Sequence, residues 1–261
     1  MSEISNISAL SPAIELRMAQ SPEDIEAIQK LRWQVFYEEM GAIPDPQRAG
    51  GLDSDRFDAV CDHLMVIDSS ADSVVGTYRL LRQSVAMRHG GFYSAAEYDL
   101  RRLVGYSRAS GGELLELGRS CVLPQYRSSA AIALLWRGIA HYLERHDIAL
   151  MFGCASFPEA DIDRHAKALS YLRDNHLAPV EIRPAIHPEF DVAIPYVEVG
   201  IQDRRAVMQG LPPLLKAYLR VGPMFADGAF YDWQFNTVDV SVVMPVERIA
   251  QRYSARFSAA A

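Results

Sequence analysis

Between Leu114 and His146 the chain passes from an apolar strand to an amphipathic helix across one proline. Leu114–Val122 carries Leu114, Leu115, Leu117, Cys121 and Val122 as its apolar residues, and Pro124 cannot donate to a sheet ladder, so the strand must stop there. From Ser129 to His146 the apolar residues Ile132, Leu135, Trp136, Ile139 and Leu143 recur at helical spacing. A strand feeding straight into such a helix requires an α/β fold with a covered sheet. The junction, Glu113–Arg127, also carries charge in an apolar setting: Glu113, Glu116, Arg119 and Arg127, with Ser120 among them. A strand end running into a helix start is one place where a phosphate-bearing group is held.

The rest of the chain fits that frame. Ile14–Ala19 reads as a short strand. Ser21-Pro22-Glu23-Asp24 is a helix start with an N-cap, proline at N1 and acids in the first turn. Its helix carries Ile25, Ile28, Leu31 and Val35 and is expected to end at Gly41. Ile43–Phe57 is a long loop with prolines, glycines and acids. His63–Asp68 and Val74–Leu81 read as a hairpin. A helical piece is expected at Ser94–Val104, a turn at Gly105–Gly112, a buried strand at Ile148–Phe152 ending at Gly153, and a helix at Glu159–Asn175. Further on, Glu181–Arg183 and Tyr196–Gly200 read as strands and Pro212–Val221 as a helix. Val238–Met244 alternates like a half-buried strand, and Pro245–Phe257 reads as a closing helix. Residues 1–12 read as a flexible N-terminus, and no interdomain linker is visible, so 13–261 is expected to form one domain.

Composition narrows the function classes. No apolar run is long enough to span a bilayer, and the polar start has no secretory signal. Cys61, Cys121 and Cys154 are widely spaced, which fits a reducing cytoplasm rather than a disulfide framework or a metal site. The net charge of −7 hides an asymmetry. Gly76–Arg145 holds ten arginines against five acids and no lysine, a local +5 that leaves −12 for the remainder. An arginine-rich stretch is either a solvated surface or a docking face for an acidic or phosphorylated partner. Nucleic acid is excluded as a partner by the acidic total and the lack of any binding motif.

The order centred on strand–Pro-Gln-Tyr-Arg–helix resembles the Gcn5-related N-acyltransferase (GNAT) fold. That resemblance implies a mixed, mostly antiparallel central sheet flanked by helices, with splayed fourth and fifth strands and here a C-terminal extension from about residue 205 to 261. In that fold the donor's pantetheine lies at the splay. Where the family has a glycine-rich turn, this chain reads Arg127-Ser-Ser-Ala-Ala-Ile132, with no glycine. Side chains there crowd a close backbone approach to a pyrophosphate. The resemblance therefore implies a donor with a single phosphate: the 4′-phosphopantetheine arm of acyl carrier protein, an acidic partner suited to the +5 segment. No permanently bound cofactor and no metal is expected.

Leu31–Gly41, Asp53/Asp55, Phe57-Asp58, Gly76-Thr77-Tyr78-Arg79 and Glu116-Leu117-Gly118-Arg119 resemble the autoinducer (acyl-homoserine-lactone) synthases. Three stretches are instead similar to the L-ornithine Nα-acyltransferases of bacterial ornithine-lipid synthesis: Asp58–Leu64, Glu116–Arg127 and Phe235–Ile249. Lys216–Arg220 is shared with the haemolysin-like acyltransferases. This resemblance implies transfer of a 3-hydroxyacyl chain to the α-amine of ornithine by a cytoplasmic enzyme that meets the inner membrane peripherally. Two other readings stand beside it: an autoinducer synthase, and a non-catalytic acyl-carrier-binding module.

Acyl transfer to an amine needs a proton acceptor and donors for the oxyanion. Glu116 is the first candidate base, on the expectation that apolar neighbours raise its pKa; the alternative is an ion pair with Arg119 or Arg79. Strict alternation separates Glu116 from Arg119, so a β-bulge at Gly118 is expected to bring them together. His63 is the second candidate base, with capping or packing as its other reading. Ser120 is a candidate to polarise the thiolate or simply a hydrogen-bonded filler. The resemblance implies that Arg32, Arg79 and Arg119 are buried and that one binds the acceptor carboxylate; a structural pair with Asp55 or Asp58 is Arg32's alternative. Asp53, Asp55 and Asp58 are candidates for the acceptor's ammonium or are simply solvated. Val122, Arg127, Ser128, Ser129 and Ala130 are the candidates for the donor phosphopantetheine. Cys121 reads as a buried apolar filler rather than a nucleophile.

Overall fold

Ile14–Met18 forms β1, and Ser21 then starts α1 (Pro22–Trp33) as its residues dictate. The Ser21 side chain accepts from the Asp24 N–H, and Pro22 fills a position that needs no donor. The computed structural model describes residues 14–44, 50–127 and 130–249. The helix does not run on as α to Gly41. It widens into a π-helical turn at Gln34–Glu39, where Tyr37 stacks on Trp33 at 4.4 Å. Such turns are rare and concentrate at functional sites.

Next come β2 (Asp62–Asp68) and β3 (Ser73–Arg82), the expected hairpin, and a single helical turn, α2 (Gln83–Ala86). A 3₁₀ turn at Tyr93–Ala96 and the short β4 (Tyr98–Asp99) occupy much of the piece expected to be helical. The helix there, α3, spans Arg101–Ser110 instead and runs through Gly105, with Gly111 in left-handed conformation as its cap. Then follow β5 (Glu113–Val122), a 3₁₀ turn at Pro124–Tyr126 and α4 (Ala130–Arg145). The buried stripe of α4 is Ala131, Leu135, Gly138, Ile139 and Tyr142, rotated from the predicted one. A side chain at Gly138 would press on Leu16 and Leu64, so the helix lies close on β1 and β2.

β6 (Ile148–Pro158) does not end at Gly153. α5 (Ile162–His176) starts from Asp161, whose side chain accepts from two N–H groups. The expected strand at 181–183 is replaced by the two-residue β7 (Ala185–Ile186), and 196–200 forms no ladder. The Val197 N–H there donates to Ser170 Oγ instead. α6 (Arg204–Gly210), β8 (Met224–Phe225) and β9 (Phe230–Asp232) were not legible in the sequence; α7 (Pro213–Val221) was. β10 (Thr237–Pro245) is buried along its whole length rather than on one face. Residues 246–249 are helical, and the remainder of the segment expected as a closing helix lies outside the described residues, as does the N-terminal segment 1–12.

The chain divides into two units, one drawn from Met1–Glu39, Pro44–Leu80 and Arg119–Arg145, the other from Met40–Ile43, Leu81–Gly118 and His146–Ala261. Neither is continuous in sequence, and β5 contributes to both. In the first the strand order is β1-β2-β3-β5. In the second it is β5-β6-β10-β8, with β9 also on β10. β1–β2, β2–β3 and all pairs of β10 are antiparallel, whereas β5–β6 is parallel. The parallel register ends at Glu116↔Phe152, while β6 continues to Pro158 along β10. The fourth and fifth long strands, β5 and β6, thus part as the GNAT resemblance implied. Gly153 sits beside the point of parting, where a Cβ would run into the Leu117 carbonyl oxygen.

Candidate active site

The first unit buries six opposed charges. Arg32 is wholly enclosed; its Nη1 and Nη2 donate to Asp58 at 2.9 and 2.7 Å, and Nη2 also donates to the Asp53 carbonyl. Arg32 Nε lies 2.7 Å from Asp53 Oδ2, yet neither atom has an aligned hydrogen bond, so that contact is Coulombic only. Arg79 donates from Nη1 to both oxygens of Asp55 at 2.8 Å and to Asp58 at 3.2 Å. Arg119 lies 3.3 Å from Asp53 and 3.5 Å from Asp55. Tyr37, carried on the π-helical turn, donates to Asp53 at 3.2 Å. The three aspartates and three arginines balance. The Arg79 and Arg32 guanidinium groups hold Asp55 and Asp58 below the usual carboxylate range against the opposing effect of burial.

These residues are therefore neither solvated loop acids nor free arginines. Arg32 has the structural pair foreseen as its alternative, with Asp58 and Asp53 as partners. The least enclosed members are Arg119 and Asp55, whose side chains are 13% and 14% exposed. Arg119 also has φ +49, a left-handed conformation uncommon for a residue with a side chain. The register shift of β5 against β6 falls between Glu113 and Leu114 rather than at the bulge expected at Gly118, and the ion pairs seen for Arg119 are with Asp53 and Asp55. His63 is enclosed nearby, its Nε2 3.1 Å from the Asp58 carbonyl oxygen, and burial pushes its pKa down.

Glu116 lies in the second unit, and its surroundings are not apolar. Its carboxylate accepts from the N–H of Tyr93 at 2.7 Å, the N–H of Ser94 at 2.8 Å and Ser94 Oγ at 2.5 Å. Glu116 thereby satisfies the amides that open the 3₁₀ turn. Ser120 is half-buried further along β5.

Arg127, after the Pro124–Tyr126 turn, uses its whole guanidinium. Nε donates to the Val122 carbonyl at 2.8 Å, and Nη1 and Nη2 donate to Glu39 at 2.6 and 2.7 Å. Two donor-site candidates are thus bonded to each other. Ala130, the first residue of α4, is exposed. Ser128 and Ser129 lie outside the described residues. Of the ten arginines in the basic segment, Arg79, Arg101, Arg119 and Arg127 are paired with acids. Arg88, Arg102 and Arg108 are exposed in the second unit.

Sequence reasoning missed Glu97. Burial and the nearby carboxylates Asp232, Asp239 and Glu116 push its carboxyl up to about 7. Asp239 and Asp232 come from β10 and β9, far from Glu97 in sequence. A carboxyl raised in the folded state holds its proton there while the unfolded chain has lost it, so stability falls as pH rises from about 4.3 to about 7. We expect Glu97→Gln to be more stable than the parent at pH 8 by about 1 kcal/mol, a value discounted for partial exposure, and equal to it at pH 4. Urea denaturation at the two pH values measures this. Cys121, by contrast, is pushed up to about 12 by burial, which disfavours its thiolate. Among the described residues no group of three His, Cys, Asp or Glu could hold a metal ion, and no helix is long and apolar enough to cross a membrane.

Comparison with known proteins follows this geometry. The acetyltransferase (GNAT) domain family matches residues 31–137. An L-ornithine N(alpha)-acyltransferase of Agrobacterium fabrum is 45% identical, over 92% of this chain and 83% of its own. One from Brucella abortus is 44% identical, over 95% of this chain and 90% of its own. Among solved structures, FeeM, an N-acyl amino acid synthase from uncultured soil microbes, shares the fold. Its TM-score is 0.50 at 12% identity, with 93% of this chain and 96% of that one covered.

Proposed function

This chain belongs to the L-ornithine Nα-acyltransferase family, and we propose that it transfers a 3-hydroxyacyl chain from acyl carrier protein to the α-amine of L-ornithine. The observation that carries the reading is identity of 42–45% to four such enzymes over more than nine-tenths of the chain. The amine nitrogen attacks the thioester carbon, the C–S bond breaks, and the thiolate leaves. The amine must first lose a proton, and Glu116, directly or through a water, is the residue we assign to take it. Backbone N–H groups of β5 serve the oxyanion, and Ser120 the departing sulfur. His63 is the reserve base. The buried Arg32 and Arg79 position the loop of Asp53, Asp55 and Asp58, which leaves Arg119 and Asp55 as the members that reach the acceptor. Val122, Arg127 and Ala130 are assigned to the pantetheine arm, together with Ser128 and Ser129. The product is an amphiphile, so the enzyme works as a cytoplasmic protein that touches the inner membrane peripherally.

The test is direct. Purified protein is given 3-hydroxyacyl-acyl carrier protein with either L-ornithine or S-adenosylmethionine, and products are read by mass spectrometry. An Nα-acyl-ornithine is expected. Product with S-adenosylmethionine alone would make the chain an autoinducer synthase. Tight binding of acyl carrier protein without any thiol release would make it a non-catalytic module.

A further inference from the structure

The fork of Arg127 is already filled. Both terminal nitrogens meet both oxygens of Glu39, at 2.6 and 2.7 Å, and the third nitrogen is fixed on the Val122 carbonyl. This is the bidentate geometry by which a guanidinium takes a carboxylate or a phosphate. Glu39 ends the π-helical turn Gln34–Glu39, so its position depends on an irregularity that a plain α-helix would lack. The two side chains are 37% and 35% exposed, so solvent and a ligand can both reach the pair. An incoming anion has to compete with this bidentate pair, which is stronger than an ordinary surface ion pair.

We propose that Glu39 selects the acyl donor by standing in the Arg127 fork as an internal substitute for the donor's phosphate. The inference rests on the assignment of Arg127 to the pantetheine phosphate. A donor has to displace the carboxylate, which stays close and negative after it has moved. The repulsion it exerts grows with the charge of the incoming group. The phosphodiester of a carrier-borne pantetheine brings one negative charge to this point. Coenzyme A brings a pyrophosphate and a further phosphate, so Glu39 opposes it more strongly.

The experiment compares the parent protein with Glu39→Gln and Glu39→Asp, using L-ornithine with the same 3-hydroxyacyl chain on acyl carrier protein or on coenzyme A. Glu39→Gln keeps the shape and removes the charge. It is expected to lower KM for the carrier-borne donor about two- to fivefold and KM for the coenzyme A donor by more, leaving kcat for the carrier-borne donor unchanged. The preference for the carrier narrows, and Glu39→Asp restores it in part. Unchanged KM for both donors, or a rise in both, overturns the proposal. If the parent acylates ornithine from neither donor, the functional reading fails instead, so the two failures are distinguishable. Isothermal titration of 4′-phosphopantetheine without acceptor gives a readout free of turnover. Tighter binding by Glu39→Gln is expected, and equal binding overturns the proposal.

Discussion

Replacing Arg32 with alanine is expected to cost about 3–5 kcal/mol of stability, the range for breaking a buried ion pair from one side. The size follows from what stays behind. Asp58 and Asp53 are 5% and 4% exposed, and Arg32 meets both. Without it the two carboxylates stay buried with Arg79 and Arg119 as the cations nearby, and Asp53 loses the donor to its carbonyl as well. Lysine will not rescue the loss, because a single ammonium cannot span two aspartates as a fork does. Urea denaturation measures the effect. Arg101→Ala is the control: its pair with Asp99 is on the surface, with the Arg101 side chain 91% exposed, and its midpoint should not move. The cluster also sets the acid limit. Asp55 and Asp58 titrate lower in the folded protein than in the unfolded chain. Their contribution is complete above about pH 3.9 and is lost as pH falls through the folded values. A stability difference between the parent and Asp58→Asn that shrinks as pH falls would confirm that sign.

The contrast between the two halves of β5 explains what could be read in advance. Leu114–Val122 and α4 were legible because their partners are local: proline stops the strand, and the next turn starts the helix. The arginines and aspartates were legible as residues, but their stoichiometry was not. Asp53, Asp55 and Asp58 sit in a loop rich in Pro and Gly, where acids are usually solvated, and only the fold brings Arg32, Arg79 and Arg119 to them from three elements. The same limit applies to β10. Thr237, Asp239 and Ser241 alternate with valines and so look half-exposed. Yet β10 is buried along its whole length, its two edges paired by β6 and by the short β8 and β9. Its polar side chains pair inside, with Thr237 Oγ1 donating to Asp239 at 2.7 Å. Periodicity reports which residues share a face; it does not report whether a second layer covers that face.

Glu116→Gln is expected to lower kcat for ornithine acylation at least about a hundredfold, the lower bound for removing a positioned general base. The structure sharpens what this variant must separate. Glu116 is also a cap: its carboxylate holds the amides of Tyr93 and Ser94 and the Ser94 hydroxyl. Alanine would leave two N–H groups without their acceptor, at a cost of about 1–3 kcal/mol for each buried one, so lost activity in Glu116→Ala could be lost structure. Glutamine keeps one acceptor oxygen, and the Ser94 hydroxyl can turn to donate or accept. Ser94→Ala removes one donor and leaves the carboxylate in place. If Glu116 takes the amine's proton, Glu116→Gln loses turnover while its unfolding midpoint stays near that of Ser94→Ala, and Ser94→Ala keeps most of its activity. If Glu116 serves only as a cap, the two variants fall together in stability and neither loses turnover beyond that. In that case the proton acceptor has to be sought at His63, whose buried Nδ1 has no hydrogen-bond partner among the described residues. A His63→Gln variant with the Glu116 carboxylate intact then carries the decisive measurement.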